Sequence, residues 1–125
     1  KENKMFKLEK GFKVMNLTTE QIQERIKDDA LLFFTDLLRG LNFTANIKTQ
    51  EHITANLNGI VNVSVMKIPN EIWNITLTSP KLKSYGFMFS VDSDVNEFNE
   101  FIQRIRFTWG KETIKEKRTA NDISF

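Results

Sequence analysis

The chain has 125 residues, 40% hydrophobic and 27% charged, a size and balance that suit one globular domain and exclude a disordered polymer. Its 18 basic and 16 acidic residues leave a net charge of +2, too little for a strong field toward nucleic acid or an anionic membrane. With no cysteine, disulfides, a thiol nucleophile and cysteine-based metal or iron–sulfur sites are ruled out.

No apolar run approaches the roughly 18–20 residues of a membrane-spanning helix. The opening Lys1-Glu2-Asn3-Lys4 lacks signal-peptide character. The expected compartment is the cytoplasm, with an exported mature form as the alternative because the chain starts without Met, as a processed or trimmed chain would. Eleven Phe against one Tyr and two Trp predict an aromatic core. Two Pro and five Gly predict regular elements with short connections.

In the first sixteen residues, Phe6, Leu8, Phe12 and Val14 share even positions. This pattern predicts a strand broken near Gly11, with an ordered arm across a helix as the alternative. Thr18 with Gln21 three residues on forms a capping box, and Leu17 and Ile22 are spaced for a hydrophobic staple. Ile22, Ile26, Ala30, Phe33, Phe34, Leu37 and Leu41 then repeat at helical spacing. Leu31 and Leu38 widen the stripe, which predicts that more than a sheet covers this helix. Leu32 is its one misfit, and Gly40 or Leu41-Asn42 supplies the stop.

From Phe43 to Leu57 the period is two, predicting one long bent strand or two short ones. Asn58-Gly59 marks a hairpin. A two-residue loop there would turn Val61, Val63 and Val65 to the wrong face. Parity therefore predicts a three-residue loop, Leu57-Asn58-Gly59, that pairs Ala55 with Val61 and Ile53 with Val63. Pro69-Asn70 turns the chain into a strand carrying Trp73, Ile75 and Leu77. A basic loop from Ser79 to Ser84 leads to Tyr85, Phe87, Phe89 and Val91. Asp94 and Glu97 cap a second helix with Val95, Phe98, Phe101, Ile102, Ile105 and Trp109 as its stripe, ended by Gly110.

The predicted fold is α+β in the order (β)-α-β-β-β-β-α. It is an antiparallel four- to five-stranded meander with two amphipathic helices packed on one face. Residues 1–110 form the domain and 111–125 a mobile or partner-ordered basic tail. The sheet's other face, from Thr44 through Asn62 and Ser64 to Asn74 and Thr76, reads as small, polar and solvated.

Catalytic chemistry has little foothold. The one histidine, His52, falls among Thr and Asn on the polar side of a strand. Asp28-Asp29 and Asp92/Asp94 read as a solvated helix face and a helix cap. The five glycines are scattered, so no phosphate-binding loop and no cofactor are implied. The four N-x-S/T sequons, at Asn16, Asn42, Asn62 and Asn74, are accounted for by an Asn-rich composition.

The end of the second helix carries Arg104, Arg106, Phe107, Trp109 and Lys111. If the helix runs to Trp109, Phe107 lies opposite Phe98 and faces solvent between arginines, the make-up of a binding hot spot. If it ends near Ile105, an extended segment packs Phe107 or Trp109 into the core. The reading is a non-enzymatic protein-binding accessory domain, whether subunit, adaptor or inhibitor. Arg104, Arg106, Phe107, Trp109, Lys111, Lys115, Lys117 and Arg118 are its candidate partner-binding residues. Nucleic-acid binding through Lys81, Lys83, Arg104, Arg106, Lys115, Lys117 and Arg118 is one alternative, and an exported or cell-surface domain is another.

Overall fold

The computed structural model describes residues 5–10, 13–80 and 84–113. A hairpin of β1 (Phe6–Lys10) and β2 (Lys13–Leu17) precedes helix α1 (Thr19–Gly40). The strands β3 (Thr44–Thr49), β4 (His52–Leu57), β5 (Val61–Ile68), β6 (Ile72–Thr78) and β7 (Tyr85–Phe89) follow, then helix α2 (Val95–Thr108) and a 3₁₀ turn, Gly110–Thr113. The architecture is α+β: β3 to β7 form one antiparallel meander in chain order, with both helices on one face.

The sheet has five strands because the segment from Phe43 to Leu57 turns at Gln50 and Glu51 and pairs with itself. The N-terminal segment is a hairpin, and β1 and β2 form a separate two-stranded sheet. Phe6 and Leu8 are buried, but the even-numbered pattern stops at the turn. Phe6 pairs with Leu17 and Leu8 with Met15, so odd positions face inward on β2 and Val14 is exposed. Phe12 lies outside the described residues.

Helix α1 begins with the expected capping box. Thr18 Oγ1 accepts the Gln21 amide at 3.2 Å, and Gln21 Oε1 accepts the Thr18 amide at 2.9 Å. Halfway along, Asp29 leaves the helical region (φ −156°, ψ 86°) and its Oδ1 accepts the Leu32 amide at 3.1 Å. Asp29 thus caps a second helical segment and marks a break in α1. At the far end Asn42 takes φ 75°, the Phe43 amide bonds to the Leu38 carbonyl and the Asn42 amide to that of Arg39. This is a Schellman closure with Asn at the left-handed position. Gly40, two residues before Asn42, is required by close approach, since a Cβ there would meet the Glu9 carbonyl oxygen of β1.

Every residue from Phe33 to Leu38 is buried, because the sheet covers one side of α1 and the hairpin the other. The excess width of the apolar stripe had this cause. Rings carry the contact between layers: Phe34 lies 5.6 Å from Trp73 of β6, and Phe89 of β7 stacks on Phe98 of α2 at 4.1 Å.

The β4–β5 loop has three residues, but they are Asn58-Gly59-Ile60. Leu57 pairs with Val61, Ala55 with Val63 and Ile53 with Val65, a register two residues from the expected one. Asn58 (φ 53°) and Gly59 (φ 72°) both occupy positive φ, and the Ile60 amide bonds to Leu57. The turn therefore uses Asn-Gly as its central pair and adds the extra residue after it. A slip of two preserves parity, so the valines face the helices as expected. Strand β7 ends at Phe89, leaving Val91 in the following turn and partly exposed. The chain stays ordered past Gly110 through the turn that buries Thr113, while residues 114–125 lie outside the described region.

The break in α1 separates two neighbouring aspartates by role. Asp29→Ala is expected to lower unfolding free energy by about 1 kcal/mol through loss of an internal cap, whereas Asp28→Ala, at a solvated position, should stay within about 0.5 kcal/mol. Urea denaturation of both variants checks this. Gly40→Ala should cost about 1–3 kcal/mol, because the added methyl displaces backbone of β1. A shift in urea midpoint at constant slope is the corresponding readout.

Candidate functional site

Helix α2 is fixed firmly at its start. Asp94 Oδ1 accepts the Glu97 amide at 3.0 Å, which realises the Asp94 half of the expected capping box. The Val95 amide donates to Thr19 Oγ1 at 3.1 Å, and Gln23 Nε2 to the Ser93 carbonyl at 3.1 Å, tying the beginnings of the two helices together. Val95, Phe98, Phe101 and Ile105 are buried along the inward face.

The helix runs on to Thr108, with Trp109 as its C-cap. Phe107, nine residues after Phe98, therefore comes out on the opposite side of the cylinder. It is 91% exposed, the most exposed large apolar side chain among the described residues. Trp109 turns inward and is buried, its ring edge-on to Tyr85 at 6.1 Å. The chain thus places its two C-terminal rings on opposite sides, Phe107 at the surface and Trp109 in the core.

The neighbouring arginines are tethered. The Arg104 guanidinium sits 5.5 Å from the Tyr85 ring centroid, a cation–π arrangement. Arg106 lies 3.8 Å from a Glu9 carboxylate oxygen on β1, a loose and partly exposed ion pair worth little by itself. Of the eight expected contact residues, Arg104, Arg106 and Phe107 form one surface, and Trp109 lies beneath it. Lys111 belongs to the 3₁₀ turn. Lys115, Lys117 and Arg118 lie outside the described residues, as do Lys81 and Lys83.

A second feature has no sign in the sequence. Between the first segment of α1 and the adjoining ends of β6 and β7 is a cleft of about 570 Å³, within the size range of ligand and side-chain pockets. Buried Ile26 and Trp73, with Val91, give it an apolar floor. Glu20, Glu24 and Glu71 stand on its rim, with Lys27 as the one cation lining it. Sequence reading missed it because Glu71 and Val91 reach Glu20 and Glu24 only through the folded chain.

The open sheet face is polar, as expected. Its transverse rows, Thr44-Asn56-Asn62-Thr78, Asn46-Thr54-Ser64-Thr76-Gly86 and His52-Met66-Asn74-Met88, hold no carboxylate, ammonium or guanidinium group. Asn56 donates to Asn62 Oδ1 at 2.8 Å, and a His52 ring nitrogen lies 3.2 Å from Ser64 Oγ. That Ser–His pair sits on an open strand surface outside the cleft. Among the described residues no group of three or more His, Asp or Glu is placed to hold a metal ion. Among the same residues no helix is long and apolar enough to cross a membrane.

No protein-family model, curated protein or solved structure matches the chain, so the site is read from its geometry.

The opposed rings have opposed consequences for stability. Trp109→Ala should lower unfolding free energy by about 3–5 kcal/mol through cavity formation. Phe107→Ala should leave it within about 0.5 kcal/mol, since the ring packs on nothing inside. Thermal melts of the two variants, side by side, provide the check, and equal losses would return Phe107 to the core.

Proposed function

We propose that this is a non-enzymatic protein-binding domain that docks through the C-terminal end of α2, with Phe107 as its anchor. The observation that carries the reading is the ring itself, almost wholly exposed in the last turn of a helix whose other face is locked into the core. Burying such a ring against a partner is worth about 1.5–3 kcal/mol, and aromatic and arginine side chains dominate interface energetics.

The tethers add to this. Arg104 is held over Tyr85 and Arg106 pairs loosely with Glu9, so the two cations flank the ring and Arg104 does so in a restricted geometry. Less side-chain freedom is then lost on docking.

A photoreactive phenylalanine analogue at position 107, irradiated in native extract, tests the reading. Cross-linking to a discrete protein species is expected from position 107. The same analogue at Leu32, an exposed position on α1, should remain unlinked. Equal labelling from both positions, or none from either, would remove Phe107 as an anchor.

A further inference from the structure

We propose that the partner for Phe107 is a second copy of this chain, whose cleft between α1 and the ends of β6 and β7 receives the ring. This inference rests on the docking role of Phe107 proposed above. The two surfaces match in shape class. One is an isolated aromatic ring on a rigid helix. The other is a concavity of about 570 Å³ with Ile26, Trp73 and Val91 as its floor, large enough for a phenyl group and a guanidinium together.

They also match in charge. Glu20, Glu24 and Glu71 less Lys27 give the cleft lining a formal charge of −2. Arg104, over the neutral Tyr85 ring, and Arg106, in its loose and partly exposed pair with Glu9, stand on either side of Phe107 as the opposite charge. Within the chain the cleft is poorly compensated. Glu71 holds Lys67 at 3.0 Å, but among the described residues neither Glu20 nor Glu24 has an ion pair. These two lie one helical turn apart, where like charges destabilise a helix by a few tenths of a kcal/mol. The Arg104 guanidinium, which has no carboxylate partner among the described residues, relieves that repulsion on arriving from outside, and Arg106 can exchange its loose Glu9 contact for the cleft.

The ring cannot enter its own cleft. The cleft adjoins the start of α2, through Val91 and the Ser93–Gln23 bond, whereas Phe107 is in the last turn. At 1.5 Å per residue the helix separates them by roughly 20 Å. The contact is therefore between molecules and heterologous, plug to socket, a type that closes into rings or continues as chains.

Because plug and socket are distinct, they can be disabled separately. Sedimentation velocity at low salt should show species heavier than one chain, growing with concentration up to about 100 μM and dissociating as salt screens the charges. Phe107→Ala (plug lost) and Glu24→Arg (socket repelling) should each weaken association by about tenfold or more. Mixed in equal amounts, the two variants should form a species of two chains, since the intact ring of one finds the intact cleft of the other. A symmetric patch-to-patch contact would not be rescued in this way. Circular dichroism establishes that each variant is folded before mixing.

Wild-type chain that stays monomeric to about 500 μM at low salt overturns the proposal. So does association of the wild type with no rescue in the mixture. If the chain stays monomeric while the analogue at position 107 cross-links a different protein, only the self-contact falls. The absence of both results removes the docking role as well.

Discussion

A single ring, Phe98, meets every layer of this fold. It stacks on Phe89 of the sheet at 4.1 Å, meets Phe33 of α1 edge-on at 5.5 Å, and receives Phe6 of the hairpin at 5.6 Å. The layers depend on one another through it. A lone two-stranded hairpin is marginal in water, and β1 and β2 gain their stability from Phe6 and Leu8, both buried against the helices. In return, α1 has an apolar surface too broad for the sheet alone, and the hairpin supplies the missing cover. Gly40 belongs to the same arrangement, because β1 passes where its side chain would be.

The break at Asp29 connects this packing to the surface. The second segment of α1 is enclosed from Phe33 to Leu38. The first segment is buried mainly at Ile22 and Ile26, and every α1 residue lining the acidic cleft precedes Asp29. An aspartate in extended conformation inside a helix forfeits regular backbone bonding and recovers one bond through its own carboxylate. Such a residue lets one stretch of sequence serve two purposes: a core helix after it, and the wall of a cleft before it.

Much of the fold was legible from periodicity. The capping box at Thr18, both apolar stripes, the alternating strands and the three-residue loop all depend on local rules that neighbouring residues obey. The failures are those of counting across a turn. In the hairpin, Phe6 opposite Leu17 turns an even pattern odd. At Asn58-Gly59, parity fixed the face and left open the choice between two registers that share it. Asp29 resembled a solvated acid because helix interiors and caps use the same residue types. For the surface, helical phase decided between two arrangements of Phe107 only once the end of α2 was known. The cleft is a product of tertiary adjacency, and no spacing along the chain encodes it.

Local stability does not explain Phe107. Aromatic residues are weaker helix formers than the arginines beside it, and a polar residue at that exposed position would sit more comfortably in water. Singly exposed apolar side chains are common, and Leu32, Ile47 and Met88 here are examples, each still sheltered over a good part of its surface. Phe107 differs in being nearly bare and in being framed by two cations, one held over Tyr85 and one paired loosely with Glu9. Shifted to position 105 or 109 it would join the core, so its placement follows from its position in the helical repeat and does not result from a frayed end. A helix locked at its start by Thr19 and Asp94, and along its inner face by Phe98 and Phe101, holds the backbone at Phe107 still. An aromatic side chain turns about only two bonds, so once its backbone is fixed little freedom is left for binding to remove.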